Sequence, residues 1–276
     1  MSFFCLVKEI IRLYRYCSYL SFDVAFGAVI CSIFFAQILN VQPQLYSLAS
    51  LGLSVWIIYT TDHLLDAAKQ KGEASVQRHL FHQRNYKVIL IVLVAVILLD
   101  ILLLFYLRPS VLKSGILLSV MIIVYLTLQQ RLGPFKEIVV ALLYSAGVLL
   151  PTLSLSASLS DSIFVLIGSF TLTALINLVI FSWYDWMHDL TDNHPSLVTF
   201  FGRSMTKKIL AALFTIQLTF LIVLMNISTY QKEVVVLIVM NLPLLMLFLF
   251  PGKFQSEDRQ RFGGDIIFLF PLVYIF

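Results

Sequence analysis

Tyr59-Thr-Thr-Asp62-His-Leu-Leu-Asp66 and Ser182-Trp-Tyr-Asp185-Trp-Met-His-Asp189 are the stretches of this chain whose residue types and spacing could do chemistry. Each sets two aspartates at i and i+4, which a helix places on one face, one turn apart. Each also lies where a long apolar run ends. An ionisable side chain at membrane depth costs about 2.5–3.5 kcal/mol on insertion scales, so such residues tend to mark sites. Four carboxylates brought together would repel, and the arrangement asks for a cation. Hard oxygen ligands favour magnesium or calcium. The bland alternative, acids at a helix end dipping into headgroup water, has to be invoked twice at matching positions.

The elements that must position these pairs are membrane-spanning helices. The 276-residue chain is 60% hydrophobic and only 12% charged, and windows of about 20 apolar residues recur along it. This pattern predicts an all-α integral membrane protein, a single polytopic domain over 1–276 with eight to nine transmembrane helices. Spans are expected at 19–39, 44–66, 86–107, 109–128, 136–153, 161–183, 207–226 and 233–251, after a short amphipathic helix at 4–16. The last apolar piece, 264–276, is short for a ninth span. Pro243 falls inside a span and should kink it. The net charge of +4 describes loops at a membrane surface and does not point to nucleic acid. Cys5, Cys17 and Cys31 lack metal-ligand spacing and read as unpaired structural residues.

With the N-terminus inside, only Arg108, Lys113 and Lys232 of the 19 Lys and Arg fall in outer loops. The positive-inside rule then predicts a cytoplasmic N-terminus and puts both aspartate pairs on the cytoplasmic side. The pairs are offset by 123 residues, which suggests a repeat of four helices with halves at about 19–128 and 136–251.

Asp-x3-Asp after the second span, a second Asp-x3-Asp after the sixth, and a polar loop after each resemble the UbiA-type intramembrane prenyltransferase superfamily. The resemblance extends over most of the chain and includes Arg78, the Tyr125…Arg131…Lys136-Glu137 stretch, and Ser196-Leu197…Gly202. It implies a helical bundle around a central cavity that opens to lipid. It also implies magnesium bridging the aspartates to an isoprenyl diphosphate, and transfer of the prenyl group to a lipophilic acceptor within the membrane. Carried onto this sequence, Asp62, Asp66, Asp185 and Asp189 become the metal ligands. Arg78, Arg131 and Lys136 become diphosphate contacts, and Asp192 supports the second pair. Ile58 and His63 stand where the family usually has Asn and often Arg, and Asp192-Asn193-His194-Pro195 replaces the usual acidic, glycine and basic run.

Other readings remain open at this level. Basic residues at inner span ends are also what the positive-inside rule alone would produce. Trp56, Tyr59, Trp183, Tyr184 and Trp186 suit an interfacial aromatic belt as well as a substrate wall. Tyr125 and Tyr144 read as packing, and Asn177 as interhelical glue or a contact to the acceptor. Asp23 and Asp100 lie within spans and call for a partner or a wet cavity. All five histidines, His63, His79, His82, His188 and His194, fall in the two loops that carry the motifs, which keeps a histidine-ligated di-iron membrane oxygenase in view. Only His79-x2-His82 resembles an iron-binding box. A non-catalytic relative that binds ions or lipid is the third class. The tight aspartate run of phosphatidyltransferases is absent.

Overall fold

The computed structural model describes residues 14–69, 77–156, 158–191, 195–227, 230–254 and 259–275, and all regular structure among them is helical. The expected surface helix at 4–16 falls largely outside these residues. After a helical stretch at 14–19, α1 (Phe22–Ile38) is followed by α2 (Leu45–Lys69), α3 (Gln77–Arg84), α4 (Tyr86–Leu104) and α5 (Pro109–Leu128). A 3-10 turn (Gly133–Phe135) leads into α6 (Lys136–Leu153), α7 (Asp161–Tyr184) and the short α8 (Trp186–Thr191). Then come α9 (Leu197–Ile227), α10 (Gln231–Leu249), α11 (Pro251–Phe254) and α12 (Arg259–Asp265). A second 3-10 turn (Ile266–Leu269) and α13 (Leu272–Ile275) end the described chain. Among the described residues seven helices, α2, α4, α5, α6 with its preceding 3-10 turn, α7, α9 and α10, are long and apolar enough to cross a membrane. α1 is a shorter apolar helix of 17 residues.

The apolar residues divide as they should in a bilayer. α4 and α5 expose Val88, Ile91, Leu98, Ile116, Leu117 and Ile123, which would be anomalous in water but suits contact with lipid chains. α7 is the hub, with Leu166, Phe170, Ile176, Val179 and Ile180 buried, and it packs against α6, α9, α10 and α12. Hydrocarbon gives no hydrophobic drive between helices, so polar contacts carry part of the join. Gln217 on α9 donates to Ser169 Oγ at 3.0 Å and to Thr173 Oγ1 at 3.1 Å on α7. Asn241 on α10 donates to the same Thr173 at 2.9 Å.

One expectation changes. The stretch before the span expected at 207–226 is already helical from Leu197, and its break lies at Gly202 (φ 79°, ψ 158°), a conformation that suits a residue without Cβ. The last apolar piece, short for a ninth span, divides over residues 264–275 among the end of α12, a 3-10 turn and α13. About 20 residues are needed to cross, and this piece has 13. It packs instead on α1, where a Cβ on Gly27 would sit 2.7 Å from Phe268 Cβ and Cys31 Sγ lies 3.3 Å from the Phe268 carbonyl oxygen. Pro243 lies inside α10, which continues from Gln231 to Leu249.

Candidate functional site

Asp62, Asp66, Asp185 and Asp189 all line one cavity of about 260 Å³, and all four are half-buried. The first pair sits in the last turns of α2, where the helix is unbroken, so i and i+4 share a face as the spacing requires. α5 steadies it from outside. Gln129 donates to Asp62 Oδ1 at 3.1 Å, and Tyr125 donates to Gln129 Oε1 at 3.3 Å.

The second pair straddles a helix end. α7 stops at Tyr184, and Asp185 takes φ −83° and ψ 6°. The helical register survives the break: Asp185 N–H donates to the Phe181 carbonyl at 2.9 Å, and Asp189 N–H to the Asp185 carbonyl at 2.9 Å. Trp183 Nε1 donates to the Arg203 carbonyl at 3.2 Å, and Tyr184 OH to the Leu247 carbonyl at 2.8 Å. These bonds tie the end of α7 to α9 and α10. Trp183 is therefore a buried anchor rather than part of an interfacial belt.

Glu137 and Lys136, which open α6, line the cavity as well. Glu137 Oε1 accepts the Leu197 N–H at 2.8 Å, so a carboxylate on one helix caps the exposed donors at the start of α9. From the far end of the chain, Arg261 on α12 makes an ion pair with Asp185 Oδ2, and its guanidinium carbon lies 5.2 Å from the centre of the Phe181 ring. Asp265, four residues on, is buried and lines the same cavity. Burial, with Asp23 and Asp265 nearby, raises the pKa of the Tyr14 hydroxyl.

No protein-family model and no curated protein sequence matches the chain. Solved structures do. A UbiA homologue from Archaeoglobus fulgidus bound to DMAPP and Mg2+ superposes with a TM-score of 0.63 at 13% identity, over 96% of this chain and 98% of that one. The apo UbiA homologue from Aeropyrum pernix K1 gives 0.63 at 11% identity, over 91% and 97%. Digeranylgeranylglyceryl phosphate synthase gives 0.56 at 12% identity, over 95% and 97%. The protein has the UbiA fold.

In this UbiA fold the site continues into a second, apolar chamber of about 580 Å³ between α2, α4, α5 and α6. Ile58, Tyr59, Tyr125, Leu126, Val140 and Tyr144 line both spaces. Tyr125 and Tyr144 line both spaces, and Tyr144 also packs on Phe170 and Phe268. Asp100 lies on the chamber wall, accepting from Ser50 at 2.7 Å and Ser54 at 2.8 Å, which answers how α4 carries a carboxyl in its apolar run. Asn177 lines the first cavity, where it can meet a ligand. Asp23, buried at the start of α1, accepts the Val24 N–H at 2.9 Å.

The expected diphosphate contacts divide. Lys136 lines the cavity; Arg131 is exposed and does not. Arg78 belongs to α3, but its side chain lies outside the described residues, as does Asp192. Among the described residues no three His, Cys, Asp or Glu side chains form a ready-made metal cluster. His63 and His82 adjoin, with ring centroids 4.9 Å apart, and His188 is exposed. His194 and the side chain of His79 lie outside the described residues, so three of the five histidines enter the described arrangement. A magnesium–substrate site is compatible with it, because magnesium keeps waters and binds through one or two carboxylates plus substrate phosphates.

The reading from sequence missed Gln129, Arg261 and Asp265 as parts of the site, and gave Glu137 no role beyond its place in the Lys136-Glu137 stretch. Arg261 sits in a segment whose positive charge was absorbed by the topology rule. Gly263-Gly264, a pair allowing close backbone approach beside two charged residues, was the available signal.

Proposed function

We propose that this protein is a UbiA-type prenyltransferase, which moves a prenyl group from an allylic isoprenyl diphosphate to a hydrophobic acceptor in the membrane with the help of magnesium. The observation that carries the reading is that both aspartate pairs, one from α2 and one from the end of α7, line a single cavity that continues into an apolar chamber. A diphosphate and an isoprenoid tail need those two environments side by side. The neighbours of this fold bound to DMAPP or GPP together with Mg2+ support the same choice of donor.

In this reading Asp62, Asp66, Asp185 and Asp189 would hold the magnesium. When bound, the metal neutralises charge that develops on the leaving diphosphate. The residues of the chain do the rest. Gln129 keeps Asp62 oriented, Lys136 and Arg78 meet phosphate oxygens, and Arg131 attracts the anion from outside the cavity. The C1–O bond of the donor breaks with its electron pair leaving on the diphosphate. Tyr59, Tyr125 and Tyr144 present aromatic faces where cationic character develops at C1. An electron pair of the acceptor closes the new bond to C1, and the acceptor gives up a proton. An aromatic ring, a quinone precursor, a tetrapyrrole and a lipid all fit that role. The positive-inside pattern puts the aspartates at the cytoplasmic face.

Mass spectrometry of membrane lipids from cells with and without the protein tests this. Accumulation of an unprenylated precursor in its absence names the acceptor. Unchanged lipids, together with purified protein that binds no isoprenyl diphosphate in the presence of magnesium, refute the proposal. Binding without turnover would mark a non-catalytic relative.

A further inference from the structure

Arg261 reaches the site from the other end of the sequence, and three features set it apart from an ordinary surface ion pair. Its side chain is 26% exposed and that of Asp185 is 19%, so the pair is largely out of solvent. Its guanidinium lies over Phe181, the residue one helical turn before Asp185. Its backbone is pinned, because at Gly264 a Cβ would collide with Asn177 Oδ1 and the Phe181 ring. The short helix α12 therefore presses on α7 with its arginine aimed at the second aspartate pair.

The charge balance of the cavity asks for this cation twice. Without a bound ion, the two aspartate pairs share one small space with Asp265 and Glu137, and Arg261 relieves Asp185. Two divalent ions would match the charge of the four paired carboxylates and leave the charge of a diphosphate, beside Asp265 and Glu137, still to be met. Among the described residues that line the cavity, Lys136 and Arg261 are the Lys and Arg side chains available for it. A guanidinium fits either partner, since its planar fork matches the oxygens of a carboxylate or a phosphate. Phe181 lines the cavity as well, so the ring face that holds the guanidinium borders the space a ligand would fill.

We propose that Arg261 is a place-holding cation that trades partners: it occupies Asp185 in the empty site and clamps the donor diphosphate once metal has taken the carboxylate. This rests on the prenyltransferase reading. It differs from a structural anchor in one measurable way. A place-holder competes with metal yet assists diphosphate, so its removal must move the two affinities in opposite directions.

The test uses the full-length protein in lipid nanodiscs, with Mn2+ as the metal probe and inorganic pyrophosphate as the anion. Wild type should bind Mn2+, and pyrophosphate in its presence. Arg261→Gln should bind Mn2+ alone about fivefold more tightly, the scale of releasing a partly solvent-screened ion pair. The same variant should bind pyrophosphate at saturating Mn2+ about 10- to 100-fold more weakly, the scale of a lost charge-assisted hydrogen bond. Arg261→Lys keeps the charge and most of the stem, and should recover part of the pyrophosphate binding. If both affinities fall together in both variants, Arg261 is only the anchor of α12 and the proposal is overturned. It is overturned equally if neither affinity changes. A wild-type protein that binds neither probe would instead defeat the proposed function.

Discussion

Gly263 and Gly264 adjoin in α12, and substituting each with alanine separates local propensity from packing. By propensity alone both changes should help, since Ala is favoured over Gly by about 0.8–1.0 kcal/mol inside a helix. The surroundings disagree. A Cβ on Gly263 would lie 3.5 Å from two methyl groups of Leu247, an ordinary contact. A Cβ on Gly264 would overlap Asn177 Oδ1 and two carbons of the Phe181 ring. Both of those residues belong to α7, are buried, and sit on a helix held by α6, α9 and α10, so α12 has to give way. Overpacking of this kind costs about 1–3 kcal/mol, and the displaced helix would also weaken the Arg261–Asp185 pair. Gly264→Ala should thus lower stability by about 1–3 kcal/mol, while Gly263→Ala leaves it within about 1 kcal/mol of wild type. Denaturant unfolding of the full chain in mixed micelles, run on the two variants side by side, measures the difference. Equal effects, or a Gly264→Ala protein as stable as wild type, would refute the argument that α12 is seated on α7 through this glycine.

The remaining predictions concern the site and its placement. Asp62→Asn and Asp185→Asn should each nearly abolish donor turnover with the fold intact, and the double variant should lose little more, because the pairs act as one unit on one diphosphate; multiplying losses in kinetic assays would indicate separate sites. Gln129→Leu removes the 3.1 Å bond to Asp62 and should reduce kcat/KM about tenfold or more, yet cause no further loss in an Asp62→Asn background. Glu137→Ala strips the acceptor from Leu197 N–H and should cost about 1–2 kcal/mol of stability in unfolding experiments. Reporter fusions near residues 75 and 195 should both report cytoplasm, and one near 157 the opposite side; opposite signals from 75 and 195 would rule out a shared aspartate site.

What could be read in the sequence follows from what is local. Apolar runs long enough to span a bilayer announce the helices, and two aspartates four apart announce a shared face wherever the backbone stays helical. That held in the unbroken α2, and across the break at Asp185, where the N–H of Asp189 still reaches the Asp185 carbonyl. Both pairs end spans, and the fold brings them to one cavity. The partners of those aspartates were not legible. Gln129 is 67 residues from Asp62, and Arg261 is 76 from Asp185, so nothing in either neighbourhood encodes the contact. Arg131 shows the converse: a basic residue at an inner span end satisfies both a phosphate-binding pattern and a topology rule, and the structure points it outward. The break at Gly202 was hidden because a single glycine near a helix start reads the same whether it is a packing contact or a left-handed kink.

The helix α5 forms a wall of the apolar chamber, yet Val111 is its one residue buried in the protein. Lipid chains are as apolar as its leucines and valines, so no solvent force presses it onto the bundle. Its seat is set by van der Waals contact with α6 and by the Tyr125–Gln129–Asp62 hydrogen bonds at one end. The width of the chamber is therefore a joint property of protein and bilayer. Lateral pressure and acyl-chain length act on it directly, and a detergent belt replaces that boundary with a softer one. Ligand affinities measured in micelles and in membranes then describe two differently shaped chambers built from the same sequence.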